Sequence, residues 1–566
     1  MSIADWIVLI ITLTAIAIYG MWKSRDSSKN VNAYLLAGKN MPWHTVAFSI
    51  MATQASAITF LSAPGLAYES GLSFVQFYFG MPLAMIFIAA FIVPIYHRLN
   101  VYTAYEFLES RFDIRVRSLA ALLFLIQRGL AAGITIYAPA IILSSLLGWN
   151  IYITNLAIGL FVIVYTVTGG SKAVSYTQLW QMTVILSGMF IAGFMVVKLM
   201  PDDFSFSDAV RIAGKLGKMN AVNYEFDLQN RYTIWSGLLG GFFLSLSYFG
   251  TDQSQVARYL TAKSTVQSRL GLLFNGVIKI PMQFLILFIG SLLFVFYQFC
   301  TPPVFFNKNE LIRLEQSEFK NELADLNERH QALYDNRKEK ILSLRDAIKN
   351  EQHAETELLL SEINQKLHEE KLIRKDLKEL MVTNSTLAET NDTNYIFLDF
   401  VTNYLPVGLI GLLIAVILAA AMSSTSSELN ALASTSVIDI YKRSIKKDET
   451  DQHYLKASKK GTFLWGIYAI GVSILASKLG SLIEAVNILG SLFYGTILGI
   501  FLTAFFIKHV KSTAVLIAAA IAQSTVVVLY FCSDIGYLWF NLIACAIVMM
   551  GALILEKSKK KFANRI

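Results

Sequence analysis

The sequence predicts an all-α membrane protein, and three observations lead to that fold class. Of the 566 residues, 55% are hydrophobic and only 16% are charged, whereas soluble proteins carry about 25% charged residues. About thirteen segments consist of roughly 20 mostly apolar residues, the length that a helix needs to cross the hydrocarbon core of a bilayer. Polar stretches interrupt two of these segments, which is the pattern of a membrane protein with an internal polar site.

The thirteen apolar segments are separated by short loops over most of the chain, so we expect consecutive transmembrane helices. They cover residues 2–22, 43–65, 73–97, 117–147, 150–168, 174–199, 233–257, 270–299, 403–440, 461–479, 484–507, 511–531 and 536–555.

The net charge of +8 is explained by the distribution of lysine and arginine between the loops. One set of loops carries most of these cations, for example Arg25 and Lys29, seven residues within 442–460 and five within 557–565. The short loops on the opposite side carry none, namely residues 66–72, 148–149, 480–483 and 532–535. Because cytoplasmic loops are enriched in these residues, we expect an extracytoplasmic N-terminus and a cytoplasmic C-terminus. The excess of lysine and arginine over aspartate and glutamate then indicates a multi-pass protein of the plasma membrane (in a bacterium, the inner membrane), surrounded by lipid, and not a nucleic-acid-binding protein.

Residues 305–395 differ from the rest of the chain because 33 of their 91 residues are charged, 14 of them cations and 19 anions. Apolar residues recur there at spacings of three, four or seven, which predicts helices with a partly heptad-like pattern. A single helix of this length would stand about 105 Å tall, so we expect two helices folded back as an extracytoplasmic hairpin. Two interpretations remain open: a solvated insertion, or a docking surface for a partner protein.

Two of the apolar segments contain polar interruptions at corresponding places. The second segment has a small polar run at residues 52–57 followed by Pro64, and the seventh has a polar, glycine-containing run at residues 245–253. Paired interrupted helices in two halves of a chain are the sequence indication of an inverted-repeat transporter. Unwound backbone at such places leaves carbonyl groups that can bind an ion.

The ninth segment contains five consecutive hydroxyl residues, Ser423 to Ser427, directly after three alanines and Met422. Hydroxyl oxygens are neutral donors that suit a monovalent hard cation, so this run is a candidate ion site. Two cations also lie inside apolar segments, Arg128 in the fourth and Lys279 in the eighth. Each needs a partner or a polar cavity, and substrate contact and a structural ion pair are equally compatible with the sequence.

Five motifs together resemble those of the sodium:solute symporter family. They occupy residues 52–61 (ATQASAITFL), 136–140 (IYAPA), 169–174 (GGSKAV), 252–253 (DQ) and 420–424 (AAMSS). The first two look most like the branch that contains the iodide, multivitamin and monocarboxylate symporters. The resemblance implies a LeuT-type fold, in which two inverted five-helix repeats with discontinuous helices form the core.

This fold would divide the chain into seven parts. They are an extra helix and cytoplasmic loop (1–42), the first repeat (43–199), an extracytoplasmic loop (200–232), the start of the second repeat (233–304), the charged insertion (305–395), the remainder of the second repeat (396–507), and two C-terminal helices with a basic tail (508–566).

The resemblance also implies a sodium site and a substrate site. Sodium would be bound by the carbonyl groups of Ala52, Ala55 and Ala420 and the hydroxyl groups of Ser423 and Ser424. A second sodium, present in some members, would involve Ser426, Ser427 and an aspartate that is Gln178 in this chain. Because Gln178 lacks the negative charge, we predict one sodium per cycle.

The substrate pocket is inferred from the sugar-transporting members of the family. It would be formed by Gln54, Thr59, Tyr78, Met81, Ser245, Lys279 and Asn487, with Tyr248 as an inner gate. Thr59, Tyr78 and Ser245 replace the glutamine, glutamate and asparagine of those members, so a hexose held by the same hydrogen bonds is not expected. Lys279 and the branch resemblance favour a small anion or carboxylate, and a sugar-like solute is the alternative.

The function predicted from the sequence is therefore sodium-driven import of a small solute by alternating access, with sodium as the coupling ion and no cofactor. An enzyme is not expected, because no His-Glu-x-x-His motif or nucleophile motif in a fitting context is present. The alternative is a transporter-like solute sensor that signals to a partner protein through the helical insertion.

Overall fold

The computed structural model describes residues 2–23, 31–386 and 388–563, and their regular structure is helical apart from one isolated bridge between Met41 and Ala262. The predicted inner-loop cations Arg25 and Lys29, and Arg565 of the tail, lie outside the described residues. The α-helices are α1 (Ile3–Lys23), α2 (Val31–Leu36), α3 (Trp43–Gln54), α4 (Ala57–Ser70), α5 (Met81–Phe87), α6 (Val93–Leu99), α7 (Glu106–Arg111), α8 (Ile114–Leu147), α9 (Ile151–Lys198), α10 (Phe206–Lys215), α11 (Gly241–Gly250), α12 (Gln253–Leu260), α13 (Thr265–Phe296), α14 (Lys308–Glu315), α15 (Lys320–Lys349), α16 (His353–Asn384), α17 (Ile396–Tyr404), α18 (Leu409–Ser434), α19 (Asp451–Ser473), α20 (Leu482–Phe506), α21 (Ser512–Cys532) and α22 (Leu538–Ala563).

Within the described ranges, nine helical stretches are long and apolar enough to cross a membrane, and two shorter apolar helices accompany them. This confirms an all-α, multi-pass architecture, while the total of thirteen spans stays a prediction. The helix that begins with α18 and continues as a π-helix to Ile445 is the most enclosed of the nine, because 83% of its most apolar stretch is buried. It forms the centre of the bundle.

The fifth and sixth predicted spans belong to one helix, α9, because the expected loop between them is helical. A straight helix of this length would extend about 72 Å, more than twice the hydrocarbon thickness of a bilayer. The hydroxyl groups of Tyr165 and Thr177 are 3.2 Å apart, although residues twelve positions apart lie about 18 Å apart in a straight helix. The helix therefore bends sharply between these two residues.

The second predicted span is divided into α3 and α4 by two non-helical residues. Ala55 has φ −87° and ψ 73°, and Ser56 has extended backbone. The break lies in the predicted polar run. Pro64 does not interrupt the helix, because α4 continues through it. Pro64 is instead a packing site: a Cβ atom built on Gly290 of α13 would lie 2.1 Å from its carbonyl oxygen. Neighbouring helices that pack closely can support proline within a membrane helix.

The seventh predicted span is divided in the same way. Helix α11 ends at Gly250 and α12 begins at Gln253, and between them Thr251 and Asp252 have non-helical backbone. The side chain of Asp252 caps α12 by accepting hydrogen bonds from the backbone nitrogen of Ser254 at 2.8 Å and from its hydroxyl at 2.6 Å. The predicted pair of interrupted helices is thus present at both positions.

The charged insertion forms a helical hairpin, as expected, in which α15 and α16 are joined at residues 350–352. Its helices are held together by a buried ion pair between Arg337 and Glu370. The hairpin is not surrounded by solvent, however, because Ile341 and Leu344 are completely buried in the main hydrophobic core. Lys349 forms an ion pair with Asp208 of α10 at 3.0 Å. Much of the apolar face of the hairpin is therefore covered by this chain itself.

Candidate functional site

The break between α3 and α4 lies beside the hydroxyl run of α18, and two of the predicted sodium ligands are in contact there. The Ser424 hydroxyl donates a hydrogen bond of 3.2 Å to the carbonyl oxygen of Ala52. The Ser423 hydroxyl is buried and has no hydrogen-bond partner among the described residues. Ala55 lies at the break itself, and Ala420 lies one helical turn before Ser424 on the same helix. A carbonyl oxygen of one helix and a hydroxyl group of another are thus in contact at the break.

The position of the predicted second sodium is filled by an amide network. The Gln178 side chain donates to the hydroxyls of Thr53 at 3.1 Å and Ser427 at 3.3 Å, and it accepts from the Ser49 hydroxyl at 2.5 Å. The Ser426 hydroxyl is buried without a hydrogen-bond partner in the described part of the chain. An uncharged amide group, and not a carboxylate, therefore lies among these hydroxyl groups.

A cavity next to the α3–α4 break brings together five residues predicted to contact or gate the solute. Its lining contains Gln54, Thr59, Tyr78, Tyr248 and Asn487, together with residues from α8, α11 and α20. The Gln54 side-chain oxygen is buried without a hydrogen-bond partner within the described ranges. An unsatisfied buried acceptor is costly, and a ligand in this cavity would offer it a donor.

Three predicted substrate residues are not part of the cavity lining. Met81, Ser245 and Lys279 are all buried, but none of them lines the cavity. Lys279 lies behind the lining, with its ammonium nitrogen 5.4 Å from the ring centroid of Tyr78. In the described ranges this ammonium group makes no hydrogen bond. The sequence therefore identified a buried cation close to the cavity, but not one that a solute would contact directly.

Tyr248, the predicted gate, lines the cavity beside Arg128 and Tyr494, which belong to a buried ionic cluster. Its hydroxyl accepts a hydrogen bond of 2.7 Å from Gln255, and its ring centroid is 5.9 Å from that of Tyr494. The guanidinium carbon of Arg128 lies 5.4 Å from the Tyr248 ring centroid. Tyr248 is thus placed against other rigid side chains and lines the cavity, as a gating residue would be.

The buried ionic cluster consists of Arg128, Asp252, Glu428 and Tyr494. Arg128 of α8 forms ion pairs with Asp252, in the α11–α12 break, and with Glu428 of α18, the latter at 3.0 Å. It also donates to the Tyr494 hydroxyl at 2.6 Å, and that hydroxyl donates to Asp252 at 2.9 Å. All four side chains are buried. The cluster connects four helices, and two of its members, Arg128 and Tyr494, also line the cavity.

No sequence pattern brings these four residues together. A cation inside an apolar segment, such as Arg128, needs a partner, but the sequence is equally compatible with substrate contact and with an ion pair. Glu428 directly follows the hydroxyl run, and a carboxylate inside an apolar helix was a signal that could have drawn attention to it. With one cation between two carboxylates, Arg128 has an ion-pairing role in this structure.

Comparisons with known proteins agree on one family. The model of the sodium:solute symporter family matches residues 34–315 and 378–522, which leaves out most of the hairpin. The human sodium/iodide cotransporter is 32% identical over 285 residues, which make up 50% of this chain and 44% of that protein. The mouse sodium-coupled monocarboxylate transporter 1 is 26% identical over 85% of this chain and 65% of its own length. The chain thus spans between about two fifths and two thirds of these relatives.

Solved structures extend the comparison to the fold. The structure of a sodium-coupled sialic acid symporter in a substrate-bound, outward-open state superimposes with a TM-score of 0.76 at 22% sequence identity, and the match covers 98% of both chains. This similarity confirms the predicted all-helical, LeuT-type fold class.

Proposed function

The chain belongs to the sodium:solute symporter family, and from this premise we propose that it is a sodium-coupled symporter that imports a small polar solute across the plasma membrane. The observation that supports this most directly is the contact between the Ser424 hydroxyl and the Ala52 carbonyl at 3.2 Å. It joins a broken helix to a hydroxyl-rich helix, which is where a monovalent cation would find neutral oxygen ligands.

Sodium and solute would be coupled through α4. A sodium ion bound by Ala52, Ala55, Ala420, Ser423 and Ser424 would hold the α3–α4 break against α18. The first turn of α4 carries Thr59, which lines the cavity, so ordering the break would also order the solute site. Coupling of this kind is reciprocal, because each ligand favours the arrangement that binds the other.

The two breaks also support the proposed domain organisation. Residues 43–199 and the second repeat, 233–304 with 396–507, would be inverted repeats that each begin with a discontinuous helix. Movement of one helix bundle against the other would then open the site alternately to each side of the membrane. In the proposed topology the N-terminus and the hairpin are extracytoplasmic and the C-terminus is cytoplasmic, following the distribution of lysine and arginine.

The cavity lining favours a solute that is recognised by hydrogen bonds. Gln54, Thr59 and Asn487 offer neutral polar groups, and Tyr78 and Tyr248 offer aromatic faces. Arg128 also lines the cavity, but its charge is balanced by two carboxylates. Lys279 is not part of the lining. Sugar-like solutes and small carboxylates are the two classes that remain, the carboxylate requiring movement of Tyr78 to reach Lys279.

The test is a transport assay with the purified full-length protein in liposomes. Uptake of a panel containing sugars, sialic acid, monocarboxylates and iodide would be measured with an inward sodium gradient and with an equal potassium gradient. We expect accumulation of one solute class only with sodium. Equal uptake of every solute in the two gradients, or binding of a solute without accumulation, would contradict the proposed function.

The Gln178 network leads to a prediction about stoichiometry. The natural chain is expected to move one sodium ion per solute, because an amide replaces the carboxylate that would favour a second cation. Replacing Gln178 by Asp places a negative charge among the hydroxyls of Ser49, Thr53 and Ser427, so we expect the number of sodium ions per solute to rise from one to two. The ratio is measured from the membrane potential at which net transport reverses.

Gln178→Asn is the matched control, because it has the length of aspartate without the charge. It is expected to keep a ratio of one. A ratio of two in the natural protein would contradict the prediction, and so would a ratio of one in Gln178→Asp if that variant still accumulates solute.

A further inference from the structure

A second cavity lies where the hairpin meets the ends of the membrane helices, separate from the cavity at the α3–α4 break. One face of α16 forms its outer wall, and its inner wall contains Tyr68 and Glu69 from the end of α4, Lys218, and Phe294 near the end of α13. Thr59 and Tyr68 are nine positions apart on α4, about 14 Å along a helix. The two cavities therefore lie at opposite ends of the same helix.

The lining of this second cavity has an excess of positive charge. Five cations line it, namely Lys218, Lys371, Arg374, Lys375 and Lys378, against two carboxylates, Glu69 and Glu370. The hairpin as a whole is acidic, with 19 anions and 14 cations. The α16 cations at positions 371, 374, 375 and 378 all border the cavity. Their three- and four-residue spacing places them on one face of the helix.

Existing ion pairs do not neutralise this excess. Arg374 is paired with Asp392 at 2.6 Å, and Glu370 is paired with Arg337, so these two lining charges are already balanced. Lys375 is paired with Glu379 at 3.7 Å. Among the described residues, Lys371 and Lys378 make no ion pair within 4.0 Å, although Lys378 interacts electrostatically with Glu69. Lys218, Lys371 and Lys378 therefore face the single remaining carboxylate of Glu69, and an excess of positive charge remains at the cavity.

Lys218 adds a partly buried ammonium group to the inner wall. It donates hydrogen bonds to the carbonyl oxygens of Tyr68 at 2.8 Å and Glu69 at 2.6 Å. Burial, together with repulsion from Lys371, lowers its pKa to about 8. The two carbonyl groups and the nearby carboxylates of Glu69 and Glu370 offset only part of the cost of burying this ammonium group, so an anion beside Lys218 would stabilise its charged form.

We propose that this second cavity binds an oxyanion, a carboxylate or phosphate group, between Lys218, Lys371 and Lys378. Lysine binds such groups as a point charge with three donors. The aromatic side chains of Tyr68 and Phe294 form the apolar base of the cavity and would exclude water from one side of the bound group. This site is distinct from the proposed solute site, and it does not depend on which solute is transported.

The first experiment measures anion binding to the purified full-length protein in detergent, without sodium and without a transported solute. Isothermal titration with citrate and with inorganic phosphate is compared between the natural protein and the double variant Lys371→Gln, Lys378→Gln. We expect about tenfold weaker binding in the variant, since two partly exposed charge contacts are lost. Added salt is expected to weaken binding by the natural protein.

The matched control is the double variant Lys320→Gln, Lys338→Gln, which removes the same charge from α15, outside this cavity. It is expected to bind citrate and phosphate as the natural protein does. An equal loss of affinity in both double variants, or unchanged affinity in the α16 variant, would overturn the proposal.

A second experiment distinguishes a soluble anion from a lipid headgroup. The midpoint of thermal unfolding is compared in nanodiscs of phosphatidylcholine with and without phosphatidylglycerol. An increase that is lost in the α16 variant but kept in the α15 variant would identify the headgroup as a source of the anion. Binding of citrate or phosphate without a lipid effect would identify a soluble anion. If neither soluble anions nor phosphatidylglycerol have an effect that depends on Lys371 and Lys378, the site does not exist.

Discussion

Replacing Ser424 by alanine is expected to abolish sodium-dependent uptake while the protein still folds. The change removes the hydroxyl that contacts the Ala52 carbonyl across the α3–α4 break at 3.2 Å. A hydrogen-bonding group that interacts with an ion contributes roughly 1.5–3 kcal/mol, which corresponds to a decrease in affinity of about one to two orders of magnitude. At an ordinary sodium gradient, the site would then be too weakly occupied to drive accumulation.

The measurement is solute uptake into liposomes as a function of external sodium concentration. Ser434→Ala is the matched control, because Ser434 is a buried serine of the same helix whose hydroxyl bonds to the Ala431 carbonyl within that helix. We expect this control to keep the natural sodium dependence. Uptake by Ser424→Ala with undiminished rate and unchanged sodium affinity would exclude Ser424 as a sodium ligand.

Replacing Arg128 by methionine is expected to have the largest effect on stability. The guanidinium group lies between Asp252 and Glu428, and all three side chains are buried. Removing it leaves two buried carboxylates without a counter-charge, and breaking a buried ion pair from one side costs about 3–5 kcal/mol. We expect a large decrease in the thermal unfolding midpoint and loss of uptake, measured on the same purified preparation.

A triple variant separates electrostatic from packing effects in this cluster. Combining Arg128→Met with Asp252→Asn and Glu428→Gln removes all three charges, and a buried ion network can be replaced by neutral side chains with little loss of stability. We therefore expect the triple variant to recover most of the unfolding midpoint that the single variant loses. A single variant as stable as the natural protein, or a triple variant as unstable as the single one, would contradict the ionic role of Arg128.

Within the cluster, Arg128 connects several helices to one another. It connects the α11–α12 break to α18, the helix that carries the proposed sodium ligands, and Tyr494 connects both to α20. Arg128 and Tyr494 also line the cavity. A change in the cluster would therefore be transmitted to the solute site through side chains in contact.

The elements that could be predicted from the sequence are those with a local cause. The breaks at Ala55–Ser56 and Thr251–Asp252 lie in runs of small polar residues, where the local composition weakens a helix. The hairpin followed from its apolar spacing and from the need to return to the same face of the membrane. In each case the physical cause lies in residues that are neighbours in the chain, so periodicity and composition were sufficient to predict the element.

Other features depend on residues that are distant in the chain. Arg128 is 124 positions from Asp252 and 300 positions from Glu428, so no local pattern could pair them. Lys279 could be recognised as a buried cation, but its position behind Tyr78 depends on how α13 packs.

The helical membrane architecture, the two discontinuous helices, the hydroxyl run and the family could all be predicted from the order of residues in the chain. Hydropathy and short motifs are properties of consecutive residues, and they specify these features directly. The tertiary structure decided which charges neutralise each other, which predicted residues line the cavity, and how the hairpin covers the second cavity with its lysines. Those outcomes depend on the relative positions of helices, which the packing of the whole chain sets.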